Sequence, residues 1–181
     1  MTTPAPPFGV DHVRAACHNV KLPPKVDPDS LLWGFRFCKV DFQSTHDYRW
    51  PFPGHWAKAP GPILDHTGEC CSEKGDGICA AHTLSGASSN GARVGASVGL
   101  LVAWTAADAL GASSHKVRLR QAWVAAIFDP VAAIIASGAD LTGAYLAGAN
   151  LTGANLTRAA YTQGTLWPNG FDAAVRGVVL I

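Results

Sequence analysis

Apolar residues follow the pattern of β-strands in three parts of the chain. Residues 31–42 are rich in aromatic and β-branched types, and residues 98–104 form an apolar run typical of a buried strand. Residues 116–128 alternate most clearly, which predicts one continuous strand. On one face of it we expect Val117, Leu119, Gln121, Trp123, Ala125 and Ile127, and on the other Arg118, Arg120, Val124 and Phe128.

Two short helices are expected beside these strands. Asp129 and Pro130 precede an apolar stretch, and this pair favours a helix with Asp129 as its N-cap and Pro130 in its first turn. The other helix is predicted within residues 79–91. Strands and helices in this proportion predict an α+β domain with an antiparallel sheet over residues 30–135.

The N-terminal residues 1–29 differ from the rest in their proline content. Proline blocks internal strand pairing and breaks helices, so this part is expected to be an extended, proline-rich arm with room for a short helix at residues 10–20.

A different period governs residues 139–173, where a small residue and a large apolar one recur every five positions. This period fits neither an α-helix, at about 3.6, nor a strand, at about two. A chain that turns a corner every five residues brings one side chain per turn to a common axis. The expected axial core is Leu141, Leu146, Leu151, Leu156, Tyr161, Leu166 and Phe171.

The units ADLTG, ANLTG and ANLTR in this stretch resemble the A(D/N)LXX units of pentapeptide-repeat proteins. The resemblance implies a short right-handed, four-sided β-helix over residues 136–181, in which the tail TLWPNGFD at residues 165–172 acts as a cap. Four units make a coil in that family, so seven units give somewhat under two coils. Solenoids usually need at least about three stacked repeats to bury a continuous core. We therefore expect this tube to pack against the preceding domain or against another copy of the chain.

The order of motifs in residues 50–127 also resembles the N-terminal part of actinobacteriophage proteins that end in pentapeptide repeats. This implies a phage or actinobacterial origin without an assigned activity. The favoured hypothesis is therefore a non-enzymatic interaction or assembly protein that acts through a protein partner or self-association. A virion component is one role that such an origin makes natural.

Composition and charge limit the kinds of partner that the protein is expected to bind. Apolar residues make up 48% of the chain and charged residues 15%, which is enough to bury a core. A net charge of +1 gives no long-range attraction to nucleic acid or to an anionic membrane. The apolar runs are too short to span a bilayer and the N-terminus lacks the pattern of a secretory signal, so a cytoplasmic location is expected, in the host if the protein is phage-encoded.

A second hypothesis is an inhibitor that binds a host enzyme. Some pentapeptide-repeat proteins bind DNA gyrase as mimics of duplex DNA, and those are long acidic rods. This tube has about two coils, and its Asp140 and Asp172 are balanced by Arg158 and Arg176. Because this tube is short and not acidic, it is not expected to bind gyrase as a mimic of DNA.

The segment CCSEKGDGIC at residues 70–79 carries the candidate chemistry. Cys71, Cys79 and His82 are the best zinc ligands that the chain offers, with His66 nearby, although no C-x-x-C motif is present. Free thiols or a disulfide between Cys70 and Cys79 explain the segment equally well. A third functional hypothesis is an enzyme in which Cys79 attacks, with His82 as base and Asp76 as the orienting carboxylate. The favoured hypothesis requires no cofactor.

Two surfaces are further candidates. Aromatic residues concentrate at interface hot spots, so a contact surface is predicted at Tyr48, Trp50, Phe52 and Trp56, although core packing of the same rings fits as well. Next to them, His46 and Asp47 could line a pocket. A basic patch or, more simply, a solvated sheet face is expected at Arg93, Lys116, Arg118 and Arg120.

Overall fold

The structure is a computed structural model of the chain. It describes residues 7–44, 47–73, 75–88, 94–138, 141, 146, 151, 156–157 and 159–181. The helices in these ranges are α1 (Val10–Ala16), α2 (Leu84–Ser88) and α3 (Pro130–Ser137). The strands are β1 (Leu32–Lys39), β2 (His55–Lys58), β3 (Ile78–Ala81), β4 (Ser97–Trp104), β5 (Ala109–Ala112), β6 (Lys116–Leu119), β7 (Gln121–Phe128), β8 (Ala160–Tyr161) and β9 (Val179–Leu180).

Strands β1 to β7 form one sheet in the order β2-β7-β4-β1-β3-β6-β5, and every neighbouring pair is antiparallel. Its central pair, β1 and β4, runs in register from Leu32 opposite Trp104 to Lys39 opposite Ser97. The prediction of an α+β domain with an antiparallel sheet is confirmed. Residues 78–81, expected to begin a helix, form β3 instead, and α2 follows them.

The single strand predicted over residues 116–128 is wrong, because the chain bends at Arg120. The first part, β6, pairs with β3 and β5, whereas β7 pairs with β4 and β2. One residue separates β6 from β7 along the chain, yet three strands separate them in the sheet. The sheet must therefore curl until its two halves meet at Arg120.

A β-bulge changes the facing of side chains further along β7. Leu101 lies opposite Ala126 and the next residue, Val102, lies opposite Val124, so Ala125 is the extra residue. As a consequence Ile127 is 42% exposed. The prediction that alternate residues from Val117 to Ile127 share one face is therefore wrong. The bend at Arg120 and the bulge at Ala125 each change which face the following side chains occupy.

Buried side chains form two clusters, one on each face of the sheet. The first contains Cys38, Trp50, Ala57, Ile78, Ala80, Leu100, Val102, Trp104, Val117, Leu119, Ala122 and Val124. The second includes Phe35, Phe37, Leu101, Trp123 and Phe128 from the sheet, together with side chains of all three helices.

Residues 8–16 pack against the sheet, which corrects the expectation of an extended arm for this part of the segment. Phe8 and Val13 are buried, and the rings of Phe8 and Phe35 lie 5.6 Å apart. The backbone N–H of Leu84 donates a hydrogen bond to the carbonyl of Phe8 at 3.1 Å. Residues 1–6, where the prolines are densest, lie outside the described residues.

The predicted start of α3 is confirmed. A side-chain oxygen of Asp129 accepts hydrogen bonds from the backbone N–H groups of Val131 at 2.9 Å and Ala132 at 3.2 Å, and Pro130 is the first helical residue. Gly138 ends the helix with a φ of 59°, a left-handed conformation that glycine adopts without strain.

Four leucines of the five-residue pattern are buried. Leu141, Leu146, Leu151 and Leu156 belong to the second cluster, so their side chains continue the core of the sheet domain. Leu166 departs from the expected axial core, since it is 49% exposed while its neighbour Thr165 is buried. The hydroxyl of Thr165 donates to the carbonyl of Leu141 at 2.9 Å, which directs the threonine inward in its place.

Backbone hydrogen bonds of the C-terminal residues join positions twenty apart in the chain. The N–H of Leu146 donates to the carbonyl of Leu166 at 2.7 Å, that of Val179 to Ala159 at 2.8 Å and that of Ile181 to Tyr161 at 2.9 Å. Strands β8 and β9 accordingly pair in parallel. Most of the units between residues 139 and 158 lie outside the described residues.

Candidate functional site

A pocket forms where two loops meet. The aromatic loop (residues 40–54, between β1 and β2) contributes Tyr48 and Trp50 to it. The cysteine loop (residues 59–77, between β2 and β3) contributes Cys70 and Cys71, and β3 contributes Cys79. Arg36 of β1 completes this thiol pocket, which has a volume of about 80 Å³. The structure thus joins two sequence segments that had been considered separately.

Cys71 and Cys79 are in direct contact, with their sulfur atoms 3.1 Å apart. Both are free thiols, as is Cys70. The backbone N–H of Cys71 donates to the sulfur of Cys79 at 3.3 Å, and the thiol of Cys71 lies 3.2 Å from the carbonyl of Gly77. The ammonium of Lys116 lies 3.3 Å from the sulfur of Cys70. The expected alternative of a Cys70–Cys79 disulfide is therefore corrected, because Cys79 faces Cys71.

The contact separates the pKa values of the two thiols. The hydrogen bond from the Cys71 thiol is the largest influence on Cys79, and it lowers the Cys79 pKa to about 6. Burial opposes this shift, while the Cys71 backbone N–H and the charges of Arg36 and Lys116 support it. The same hydrogen bond, followed by burial, raises the pKa of Cys71. These contacts favour the thiolate form at Cys79 and the protonated form at Cys71.

Asp76 holds the cysteine loop against the sheet. Its carboxylate is fully buried and accepts hydrogen bonds from the backbone N–H of Leu64 at 2.9 Å and from the hydroxyl of Ser72 at 2.9 Å. The His66 imidazole donates to it at 2.6 Å, and the Arg118 guanidinium forms an ion pair with it. Burial alone would raise the pKa of Asp76, but these hydrogen bonds together hold that pKa well below its usual range.

Arg118 is the second anchor of this loop. Its Nε donates to the carbonyl of Gly68 at 3.1 Å and a terminal nitrogen donates to the carbonyl of His66. The cysteine loop therefore covers β6, and Lys116 and Arg118 are only 5% and 1% exposed. The basic patch and the solvated face expected here are both wrong for these two residues, and Arg93 lies outside the described ranges.

The predicted zinc ligands are not brought together. Cys71 and Cys79 meet, but His82 contacts the ring of Trp104, at 5.7 Å between centroids, and burial lowers its pKa. Among the residues that the structure describes, no three His, Cys, Asp or Glu side chains are grouped to hold a metal ion. Two thiols do not fit the four ligands that zinc requires. The expected Cys79, His82 and Asp76 triad is wrong as well, because Asp76 is engaged by His66 and Arg118.

The predicted aromatic contact surface is largely core. Trp50 is 3% exposed, and Trp56 packs edge-on against Trp123 at 5.5 Å. The hydroxyl of Tyr48 accepts a hydrogen bond from the backbone N–H of Lys58 at 3.0 Å. Phe52 alone among the four predicted residues is well exposed, at 67%. Asp47 is exposed beside this loop, and His46 lies outside the described residues.

The C-terminal residues 159–181 present apolar side chains outward. Phe171 stacks on Trp167 with 4.7 Å between ring centroids, and Tyr161 meets the edge of Trp167 at 5.4 Å. Beyond this aromatic group the exposed apolar residues are Leu166, Val175, Val179, Leu180 and Ile181. Asp172 and Arg176 are the charged side chains of this segment. The sequence pattern did not reveal this surface, because it placed Leu166 inside.

Comparison with known proteins confirms the repeat. Residues 135–160 match the family model of pentapeptide repeats, in eight copies. No curated protein and no solved structure matches the chain. The described ranges contain no helix with the length and apolar character needed to cross a membrane.

Proposed function

Because the chain carries pentapeptide repeats, we propose that it is a non-enzymatic interaction protein. In this proposal residues 141–181 form a short right-handed, four-sided β-helix. Its last coil binds the same coil of a second copy of the chain. The sheet domain supplies the base on which the coil is fixed.

The hydrogen-bond spacing supports the coil. Three backbone hydrogen bonds join residues twenty positions apart, which is the length of four five-residue units. The parallel pairing of β8 with β9 is the arrangement expected between successive turns of a solenoid. Burial of the four described leucines at five-residue intervals agrees with one inward side chain on each face of the tube.

The observation that carries the interaction proposal is the exposed end of the last coil. Within the described ranges, β9 pairs with β8 alone, so its other edge presents unpaired backbone groups. Val179, Leu180 and Ile181 are 44%, 53% and 63% exposed along that edge. An apolar strand edge of this kind is stabilised when another strand covers it.

A second copy fits this edge on grounds of symmetry and charge. Two identical edges can pair about a two-fold axis, because each offers the other the same donors and acceptors. The net charge of +1 produces little repulsion between copies. Within the segment, Asp172 and Arg176 balance each other.

The test is the molar mass in solution, measured by light scattering over a concentration series. We expect a dimer, and we expect Leu180→Lys to weaken it by at least about tenfold in Kd, because a charge at the edge of a strand disfavours pairing. The matched control is Leu22→Lys. Leu22 is 49% exposed, lies far along the chain and gives the same change of charge.

Two results would overturn the proposal of self-association. One is a wild-type protein that stays monomeric throughout the concentration series. The other is a dimer that Leu180→Lys and Leu22→Lys affect equally, since the interface would then lie elsewhere. Circular dichroism of both variants shows whether they have kept their fold.

The setting that we propose for this assembly is the one implied by the resemblance of residues 50–127, a phage or actinobacterial protein in the host cytoplasm or in a virion. A virion component is retained in purified particles at a fixed ratio to the other structural proteins. A host-directed protein is found only in the infected cell.

A further inference from the structure

We propose that Cys71 and Cys79 form a peroxide-reactive dithiol, in which Cys79 is the attacking sulfur and Cys71 the resolving one. The substrate class is a small hydroperoxide that enters the thiol pocket. This is a modification site of the sheet domain, and it does not rest on the interaction proposed for the C-terminal coil.

The hydrogen bonds assign the two roles. The sulfur of Cys79 accepts the backbone N–H of Cys71 at 3.3 Å, an arrangement that stabilises a thiolate. The sulfur of Cys71 instead lies 3.2 Å from the carbonyl oxygen of Gly77, which can accept a thiol proton but would repel a thiolate. The positive charges of Arg36 and Lys116 also favour the anionic form of Cys79.

The pocket favours a small oxidant. Its volume of about 80 Å³ is several times the space that one water molecule requires, so hydrogen peroxide fits beside the sulfur atoms. A peptide-sized disulfide does not fit in that volume. The guanidinium of Arg36 lines the same pocket and can stabilise the negative charge that develops on the departing oxygen.

The reaction proceeds in two balanced steps. The Cys79 thiolate attacks one oxygen of the hydroperoxide, a sulfur–oxygen bond forms, and the oxygen–oxygen bond breaks. A proton from solvent joins the leaving oxygen, so the hydroperoxide is reduced to an alcohol, or to water in the case of hydrogen peroxide. Cys79 is oxidised to a sulfenic acid. The Cys71 sulfur then attacks the Cys79 sulfur, and its proton leaves with the hydroxyl group as water. A small-molecule thiol returns the disulfide to the dithiol by exchange.

The geometry permits this disulfide. The sulfur atoms are 3.1 Å apart and need to approach to about 2.05 Å, a movement of roughly one ångström. The sulfur of Cys70 lies 3.3 Å from the ammonium of Lys116, whereas that of Cys71 lies in contact with Cys79.

The experiment treats the reduced full-length protein with one equivalent of hydrogen peroxide. Free thiols are counted after denaturation, and disulfides are mapped by mass spectrometry of a non-reduced digest. We expect two of the five thiols to disappear and a Cys71–Cys79 cross-link to form. Reduction with dithiothreitol should restore all five.

Three variants separate the roles of the cysteines. In Cys71→Ser the sulfenic acid of Cys79 should persist and react with dimedone. In Cys79→Ser the loss of thiols should be at least about tenfold slower, because the sulfur that accepts the Cys71 backbone N–H is then missing. The matched control is Cys70→Ser, next in the chain to the resolving cysteine, and it should form the disulfide as the wild type does.

The proposal is overturned if the wild type forms no Cys71–Cys79 disulfide, a result that does not depend on whether any variant folds. It is also overturned if Cys79→Ser reacts as fast as the wild type. Loss of the disulfide in Cys70→Ser, with its circular dichroism spectrum unchanged, would show that the reaction needs Cys70 and would equally overturn the assignment.

Discussion

The carboxylate of Asp76 receives hydrogen bonds or charge from three residues of the cysteine loop and one of β6. They are Leu64, His66, Ser72 and Arg118. The loop itself contains no described helix or strand, so this one buried group supplies much of its order. A buried charge is tolerated only when it is paired and hydrogen-bonded, and here both conditions are met.

Asp76→Asn should therefore destabilise the protein strongly at neutral pH. The change keeps the size of the side chain but leaves the Arg118 guanidinium buried without its counter-charge, which costs about 3 kcal/mol or more in unfolding free energy. Because folding lowers the pKa of Asp76, its stabilisation is present above the unfolded-state pKa of about 3.9 and is lost as pH falls below that value. The difference between wild type and variant should accordingly shrink in acid.

Urea unfolding at neutral and at acidic pH measures both effects. The matched control is Asp41→Asn, which removes the exposed ion pair between Asp41 and Arg49 and should cost less than about 1 kcal/mol. A destabilisation by Asp76→Asn that stays constant from neutral pH into acid would contradict the role given to its charge.

At the scale of the elements, sequence patterns located those structures whose causes are local. Strands β1 and β4 follow from apolar runs, and α3 follows from the Asp129-Pro130 start. The break at Arg120 could not be predicted, because β6 and β7 pair with strands from distant parts of the chain.

The candidate site was predicted only in part, for the same reason. The sequence pointed to the cysteine segment as candidate chemistry, but the partner of Cys79 depends on how the loop folds back. Arg118 was predicted on the surface, whereas the cysteine loop covers it. For Trp50 the sequence left a contact surface and core packing open, and the ring is buried. The sequence did not indicate that Arg36 lines the pocket, since a single arginine in an apolar strand usually faces solvent.

Close packing between β4 and β7 yields the prediction at this scale. Gly99 lies opposite Phe128, and a Cβ added at Gly99 would lie 2.5 Å from the phenylalanine ring. Gly99→Ala should therefore lower the unfolding free energy by about 1–3 kcal/mol, because the ring must move within a packed core. Chemical denaturation measures the loss.

Gly164→Ala is the control for that substitution. Around Gly164 the nearest atom to an added Cβ is the Thr162 hydroxyl oxygen at 3.7 Å, an ordinary contact. Its effect should stay within about 0.5 kcal/mol. If the two alanine variants were equally stable, the packing described between β4 and β7 would be wrong.

For the whole molecule, the main feature is that one apolar cluster extends from the sheet into the repeat. Phe35 and Leu101 of the sheet, Ile134 of α3 and the four described leucines of the repeat belong to it. A short run of repeats has little core of its own, so the repeat depends on this shared burial. We therefore expect the sheet domain and the C-terminal residues to unfold in a single transition.

Leu146 and Leu166 allow this to be tested with matched substitutions. They lie twenty residues apart and are joined by a backbone hydrogen bond, yet Leu146 is 1% exposed and Leu166 is 49% exposed. Leu146→Ala should cost about 2–5 kcal/mol, because it leaves a cavity in the shared core. Leu166→Ala should cost less than about 1 kcal/mol.

Hydrogen exchange followed by mass spectrometry shows how far the effect of Leu146→Ala extends. If the cluster is continuous, exchange through global unfolding must accelerate by the same factor in β4 and in residues 159–181, since both are released by one event. If exchange accelerated only in residues 159–181, the repeat would unfold by itself and the shared core would not couple the two parts. If the cluster is continuous, a loss of stability in residues 159–181 passes to the sheet that carries Cys79.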